Sequence, residues 1–169
     1  MTNTKLPCTY LDNNIVSAIA KNDERAESDA LDRLLEAKDE GKVRLVTSEL
    51  TLREIKGYQG RMRPQLVRTF RLLEKVEIVR WDKLVGMHSY GDHRTWITTP
   101  LIDNEPDYSA LLALGLKTVD AQHVFVAAKQ ACDAFLTCDG GILHRAGDIE
   151  KQFGVLVQKP SVFVASQGW

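Results

Sequence analysis

Four carboxylates stand where a purely solvated surface would not need them. Asp12 closes residues 6–11, a run with strand character, and Glu54 lies between Leu52 and Ile55 in a semi-apolar helical stretch. Asp120 falls in the first turn of an alanine-rich helix after Thr118-Val119, and Asp139 follows Ala134-Phe135-Leu136-Thr137-Cys138. In a parallel α/β sheet, strand C-termini and helix N-termini share one edge, where ligands bind. Topology alone would bring Asp12, Asp120 and Asp139 to that edge. Singly, each has an ordinary role: Asp12 and Asp139 as helix caps, Asp120 against a helix dipole, Glu54 as a half-exposed helix acid. Together they are costly, because two carboxylates about 5 Å apart repel by roughly 3 kcal/mol at an effective dielectric near 20. Protons or a cation would have to compensate. Oxygen-only ligands select hard divalent ions such as Mg²⁺ or Mn²⁺, and such ions suit metal-assisted phosphodiester hydrolysis.

The elements that must position these residues follow from periodicity and punctuation. Strands are expected at 6–11, 42–46, 76–79, 134–137 and 155–157, and Asp12-Asn13-Asn14 can cap a short helix over 15–20. Ala30, Leu31, Leu34, Leu35 and Ala37 repeat at helical spacing within a helix over 24–40 that Gly41 stops. Thr51-Leu52-Arg53-Glu54 resembles a capping box, although Ser48 could open that helix a turn earlier. Further helices are expected over 64–74 with Pro64 in the first turn, near Leu84, over 108–114, over 119–131 capped by Thr118, and over 141–145. Residues 88–107, with Gly91, Pro100 and Pro106, are the least regular. Strands alternating with helices imply an α/β protein with a parallel sheet covered on both faces. No internal repeat or linker interrupts the pattern, so one domain over 1–169 is expected.

The chain has 169 residues, 44% apolar and 27% charged, which excludes disordered and fibrous classes. No apolar run approaches membrane-spanning length and the first residues lack a signal peptide's apolar stretch, so a cytoplasmic protein away from membranes is expected. Cys8, Cys132 and Cys138 form no CxxC pair, which fits a reducing compartment, and Cys132 and Cys138 read as core. The net charge of −1 hides an asymmetry: residues 23–40 are strongly acidic, whereas 55–73 carry Lys56, Arg61, Arg63, Arg68 and Arg71 and no acid. That basic run is either a solvated helix face or a contact for a polyanion. His88, His93, His123 and His144 lack zinc spacing, and His123 reads as a packed or hydrogen-bonded residue near Asp120. There is no GxSxG, P-loop or GxGxxG, and Asn14 stands where an aspartyl phosphatase would want its second acid.

Four short motifs in order carry a family resemblance. They are Tyr10-Leu11-Asp12-Asn13-Asn14-Ile15, Ser48-Glu49-Leu50-Thr51-Leu52-Arg53-Glu54, Thr118-Val119-Asp120-Ala121-Gln122-His123-Val124 and Asp133-Ala134-Phe135-Leu136-Thr137-Cys138-Asp139. With these the chain resembles PIN-domain ribonucleases, especially VapC-like toxin nucleases. The resemblance implies a three-layer α/β/α fold with a sheet of about five parallel strands in the order 3-2-1-4-5. It implies a metal-dependent endoribonuclease whose quartet Asp12, Glu54, Asp120 and Asp139 binds Mg²⁺ or Mn²⁺, with Thr137 where the family often has Ser or Thr near the metal. Cleavage would leave a 5′-phosphate and a 3′-hydroxyl, and Arg61, Arg63, Arg68 and Arg71 would hold the RNA backbone. As partners it implies RNA and a cognate antitoxin protein, with a homodimer left open. Glu49 competes with Glu54 as the helix-borne acid, but only Glu54 keeps the family's spacing from Ser48. Gly140-Gly141-Ile142 lacks the large side chain that usually follows the last acid, and the chain is longer than a minimal toxin nuclease, with the excess at 80–107. Asn13 could orient Asp12 or cap a helix. A PIN-like RNA- or protein-binding module without turnover is the alternative, and Tyr90, His93, Arg94 and Trp96 could stack bases or pack over the core.

Overall fold

The computed structural model describes residues 6–15, 25–57 (backbone only for 55–57), 74–80 and 105–169. The expected helix over 64–74, the irregular segment 88–104, Arg61, Arg63, Arg68, Arg71 and the Tyr90–His93–Arg94–Trp96 group lie outside the described residues.

Five strands form one all-parallel sheet: β1 (Cys8–Leu11), β2 (Arg44–Ser48), β3 (Glu77–Val79), β4 (Ala134–Leu136) and β5 (Leu156–Gln158), in the order β3-β2-β1-β4-β5. The order is the one expected. β1 is central, with Tyr10 in register with Val46 on one side and Phe135 on the other. Alternating side chains then divide the core. Tyr10, Val46 and Phe135 enter one cluster; Leu11, Leu45 and Leu136 enter the other.

Helices cover both faces. α1 (Arg25–Asp39) lays Ala30, Leu31, Leu34 and Ala37 on the Leu11 face, while α3 (Pro106–Ala113) and α4 (Thr118–Lys129) cover the Tyr10 face with Tyr108, Leu111, Val124 and Phe125. α1 ends in a reciprocal cap: Gly41, at φ 71°, donates to Lys38 O (3.0 Å), and Lys42 donates to Ala37 O (2.8 Å). Such a cap needs a left-handed residue, which glycine supplies without a Cβ clash. α2 (Glu49–Gly57) follows β2 directly, so the start at Ser48 holds over the capping box; Thr51 Oγ1 instead bonds Thr47 Oγ1 at 3.0 Å. Thr118 lies inside α4 rather than capping it, and Lys117 stands at the cap with no side-chain bond.

Two further helices were not expected from the sequence pattern, α6 (Ala146–Phe153) and α7 (Pro160–Gln167), beyond the short α5 (Gly140–Leu143). Ile149 is the buried residue of α6, too little for a periodic signal. α7 is held by a residue far away in sequence. Glu27 of α1, 4% exposed, accepts from Ser161 N at 2.9 Å and from Ser161 Oγ at 2.7 Å. One member of the acidic run is therefore a buried cap for another helix.

Glu27→Ala should cost about 1–3 kcal/mol, because it leaves a helix-terminal N–H without its partner. Ser161→Ala should cost less, since the backbone N–H keeps its acceptor. Denaturant unfolding of both variants checks the order, and equal costs would show that the hydroxyl bond dominates.

Candidate active site

β1 ends at Leu11, and the chain turns immediately so that Asp12 sits at the C-terminal edge of the sheet, its N–H donating to Leu136 O at 3.0 Å. Its carboxylate is 2% exposed. A charge there demands hydrogen bonds. Thr137 Oγ1 donates to Asp12 Oδ2 at 2.7 Å, and Asn14 Nδ2 donates to the same oxygen at 3.2 Å. The orienting amide is therefore Asn14, not Asn13; Asn13 Oδ1 is buried with no partner among the described residues. Asp12 Oδ1 takes no hydrogen bond among the described residues and lies 3.9 Å from His123 Nδ1. Burial pushes the Asp12 carboxyl above its usual range, with Glu54 adding to the rise, while His123, Thr137 and Asn14 pull it partly back.

Thr137 connects this acid to the next. Its hydroxyl oxygen also accepts from Asp139 N at 3.0 Å. Asp139 is the N-cap of α5, its Oδ1 accepting from Gly141 N (2.7 Å) and Ile142 N (3.1 Å). The capping role open to it from sequence is real, and Oδ2 is left over. For Gly140-Gly141 the consequence is room: a Cβ on Gly141 would stand 3.0 Å from Asp139 Oδ1.

Asp120 occupies the first turn of α4, half-buried. Burial raises its pKa, and the negative charges of Asp139 and Asp12 raise it further. Those charges can act on Asp120 only if the three carboxylates share a neighbourhood. Glu54, on α2, hydrogen-bonds through Oε2 to His123 Nε2 at 3.1 Å, whereas Glu49 sits in the first turn of the same helix beside Arg53, at 3.4 Å. Among the described residues, no three of the carboxylate and histidine side chains already converge as metal ligands. The donor set is nevertheless all oxygen, with burial raising the proton affinity of Asp12 and Asp120 within it, the chemistry a hard divalent cation satisfies.

The sequence spacing puts His123 near Asp120 but understates it. The ring is 2% exposed, three residues along α4 from Asp120. Nδ1 lies 2.7 Å from Tyr10 Oη, and Tyr10 donates its own proton to Ser48 Oγ at 2.8 Å, so the ring nitrogen is the donor to the phenol. Nε2 faces a carboxylate. Burial alone would hold this imidazole neutral, but the Glu54 hydrogen bond and the charges of Asp12, Glu54 and Asp120 outweigh it and raise its pKa. The signal in the sequence is the i, i+3 spacing from Asp120, which puts both on one helix face. A groove of about 380 Å³ opens at the opposite sheet edge, around Leu6, Arg44 and Lys75. There Arg44 is paired with Glu77, and Lys38 and Lys75 with Asp39.

Asp12, Asp120 and His123 all hold protons more tightly in the fold than in the unfolded chain. Groups with raised folded pKa values stabilise fully below their unfolded values, about 3.9 for Asp and 6.5 for His, and lose that contribution as pH climbs through the folded ones. Thermal melts in a chelator should show a midpoint falling from pH 5 to pH 8.5. His123→Gln should remove the part of the fall above pH 6.5. A midpoint that rises over this range would contradict the assignment.

No protein-family model and no curated protein matches the sequence. Among solved structures, the chain is similar to a chain in the crystal structure of VapBC2 from Rickettsia felis bound to a DNA fragment from their promoter. The TM-score is 0.51 at 12% identity, over 90% of this chain and 98% of that one. At that identity the likeness is one of fold alone.

Proposed function

We propose that this chain is a metal-dependent endoribonuclease, the toxin member of a toxin–antitoxin pair. The observation that carries the reading is the buried Asp12 carboxylate at the central strand end, oriented by Thr137 and Asn14, with Glu54 bearing on it and its charge joining that of Asp139 on Asp120. An isolated structural cap would not need three other acids in its neighbourhood. Likeness of fold to a chain of VapBC2 adds support.

In this reading Asp12, Asp120, Asp139 and Glu54 hold Mg²⁺ or Mn²⁺, with Asp12 Oδ1 and Asp139 Oδ2 the oxygens free of the hydrogen bonds above. The ion, when bound, supplies Lewis-acid stabilisation of the scissile phosphate and its leaving oxygen. Thr137 fixes the Asp12 rotamer and ties it to the Asp139 backbone, so that two ligands move as one unit. The raised proton affinity of Asp12 and Asp120 means that cation binding displaces protons and is favoured by rising pH. Arg61, Arg63, Arg68 and Arg71 provide sequence-independent attraction for the RNA backbone. An antitoxin segment carrying an arginine would meet the same carboxylates in bidentate pairs.

With Mn²⁺, the purified chain should cleave single-stranded RNA, and Asp12→Asn and Asp139→Asn should each lose more than the roughly 10- to 100-fold typical of a supporting residue. Both should stay folded, because asparagine keeps a capping oxygen and removes a repelling charge. Glu54→Gln should be strongly impaired and partly rescued by more Mn²⁺, while Glu49→Gln should cleave normally. Metal and RNA binding without cleavage by the wild type would point instead to a binding module.

Neutralising Arg61, Arg63, Arg68 and Arg71 together should flatten the dependence of log RNA affinity on log salt by roughly 0.7 for each phosphate that the variant no longer neutralises. An unchanged slope would assign the basic run to a solvated face or a protein partner.

A further inference from the structure

We propose that His123 is a positioning residue whose imidazole braces the Glu54 carboxylate against the buried Tyr10–Ser48 pair and thereby presents Glu54 to the metal. This rests on the metal-dependent reading above and adds to it a residue outside the acidic quartet.

The brace is continuous. Ser48 ends β2, Tyr10 lies in the middle of β1, His123 is on α4 and Glu54 is on α2, so one chain of hydrogen bonds crosses four elements. Its links are 2.8 Å from Tyr10 Oη to Ser48 Oγ, 2.7 Å from Tyr10 Oη to His123 Nδ1, and 3.1 Å from His123 Nε2 to Glu54 Oε2. The anchor end cannot swing. Tyr10 is fully buried, stacked on Phe135 with ring centroids 5.2 Å apart and planes within 5°, and meets His123 edge-on at 6.0 Å. The Glu54 end is the loose one, with its side chain 34% exposed on a nine-residue helix. A flexible glutamate loses rotamer freedom when it ligates. A ring already holding one of its oxygens has fixed the carboxylate beforehand, leaving the other oxygen for the ion.

The two ring contacts can be cut separately. In His123→Gln the amide nitrogen replaces Nε2 and keeps the bond to Glu54; in His123→Asn it replaces Nδ1 and keeps the bond to Tyr10. Titrating Mn²⁺ alone into the full-length chain, the Gln variant should stay within about threefold of wild type. The Asn variant should bind about 10- to 100-fold more weakly. Placed in a Glu54→Gln background, His123→Asn should add no further loss, because the carboxylate it braces is gone. A merely structural histidine would lower the melting midpoint in both variants and leave Mn²⁺ affinity unsplit between them. Should His123→Asn not fold, His123→Phe keeps a buried ring and removes the nitrogen that faces Glu54, and it should also weaken Mn²⁺ binding. Wild-type Mn²⁺ affinity in the Asn or Phe variant, or an undiminished loss in the Glu54→Gln background, overturns the brace alone. A wild type that binds no Mn²⁺ overturns the metal reading and the brace with it. A wild type that binds Mn²⁺ but cleaves no RNA overturns only the nuclease reading, since the brace is read from metal binding.

Discussion

A carboxylate buried at the end of the central strand is the constraint around which this chain is arranged. Asp12 is 2% exposed, and an ion so placed costs several kcal/mol unless hydrogen bonds or charge offset it. Thr137 and Asn14 supply the bonds and His123 the opposite charge. Even so, burial and the neighbouring acid leave the carboxyl more easily protonated than usual. Stability would be better served by an apolar side chain. On the metal-dependent reading proposed above, a bound cation would offset that cost.

The sheet makes that arrangement rigid. Pairing of β1 with β4 places Leu11 opposite Leu136, so Asp12 and Thr137 leave the sheet side by side. β2 brings Thr47 and Ser48 to the same edge, where Thr47 Oγ1 donates to Leu11 O at 2.9 Å. The end of β1 is thus held by hydroxyls on both sides, Thr47 bonding the Leu11 carbonyl and Thr137 the Asp12 side chain. Small hydroxylated residues suit the position because they satisfy polar atoms without filling that edge.

Much of the fold was legible in the sequence, since it rests on local signals. The α1 stripe, the Gly41 stop and the five apolar runs each appear where expected, with ends displaced by a residue or two. α6 and α7 were not legible. One presents a single buried isoleucine, and the other depends on Glu27, 134 residues away from its partner Ser161. Of the candidate site, Asp12 and Asp139 follow from strand ends and Asp120 from a helix start, whereas Thr137 comes from the family resemblance alone. The sequence under-represents His123 for a physical reason: its importance lies in what stands at both ends of the ring, and no spacing reports a contact to Tyr10 or Glu54.

Asp139 shows how structure and proposed chemistry share one side chain. One oxygen of its negatively charged carboxylate caps α5 through two N–H groups. The same negative charge bears on Asp120 and raises its pKa. The cap geometry holds the Asp139 carboxylate at the strand ends, next to the acids of the neighbouring elements. On the proposed reading, a bound cation would take the place of protons at Asp12 and Asp120, the two acids whose proton affinity the fold raises.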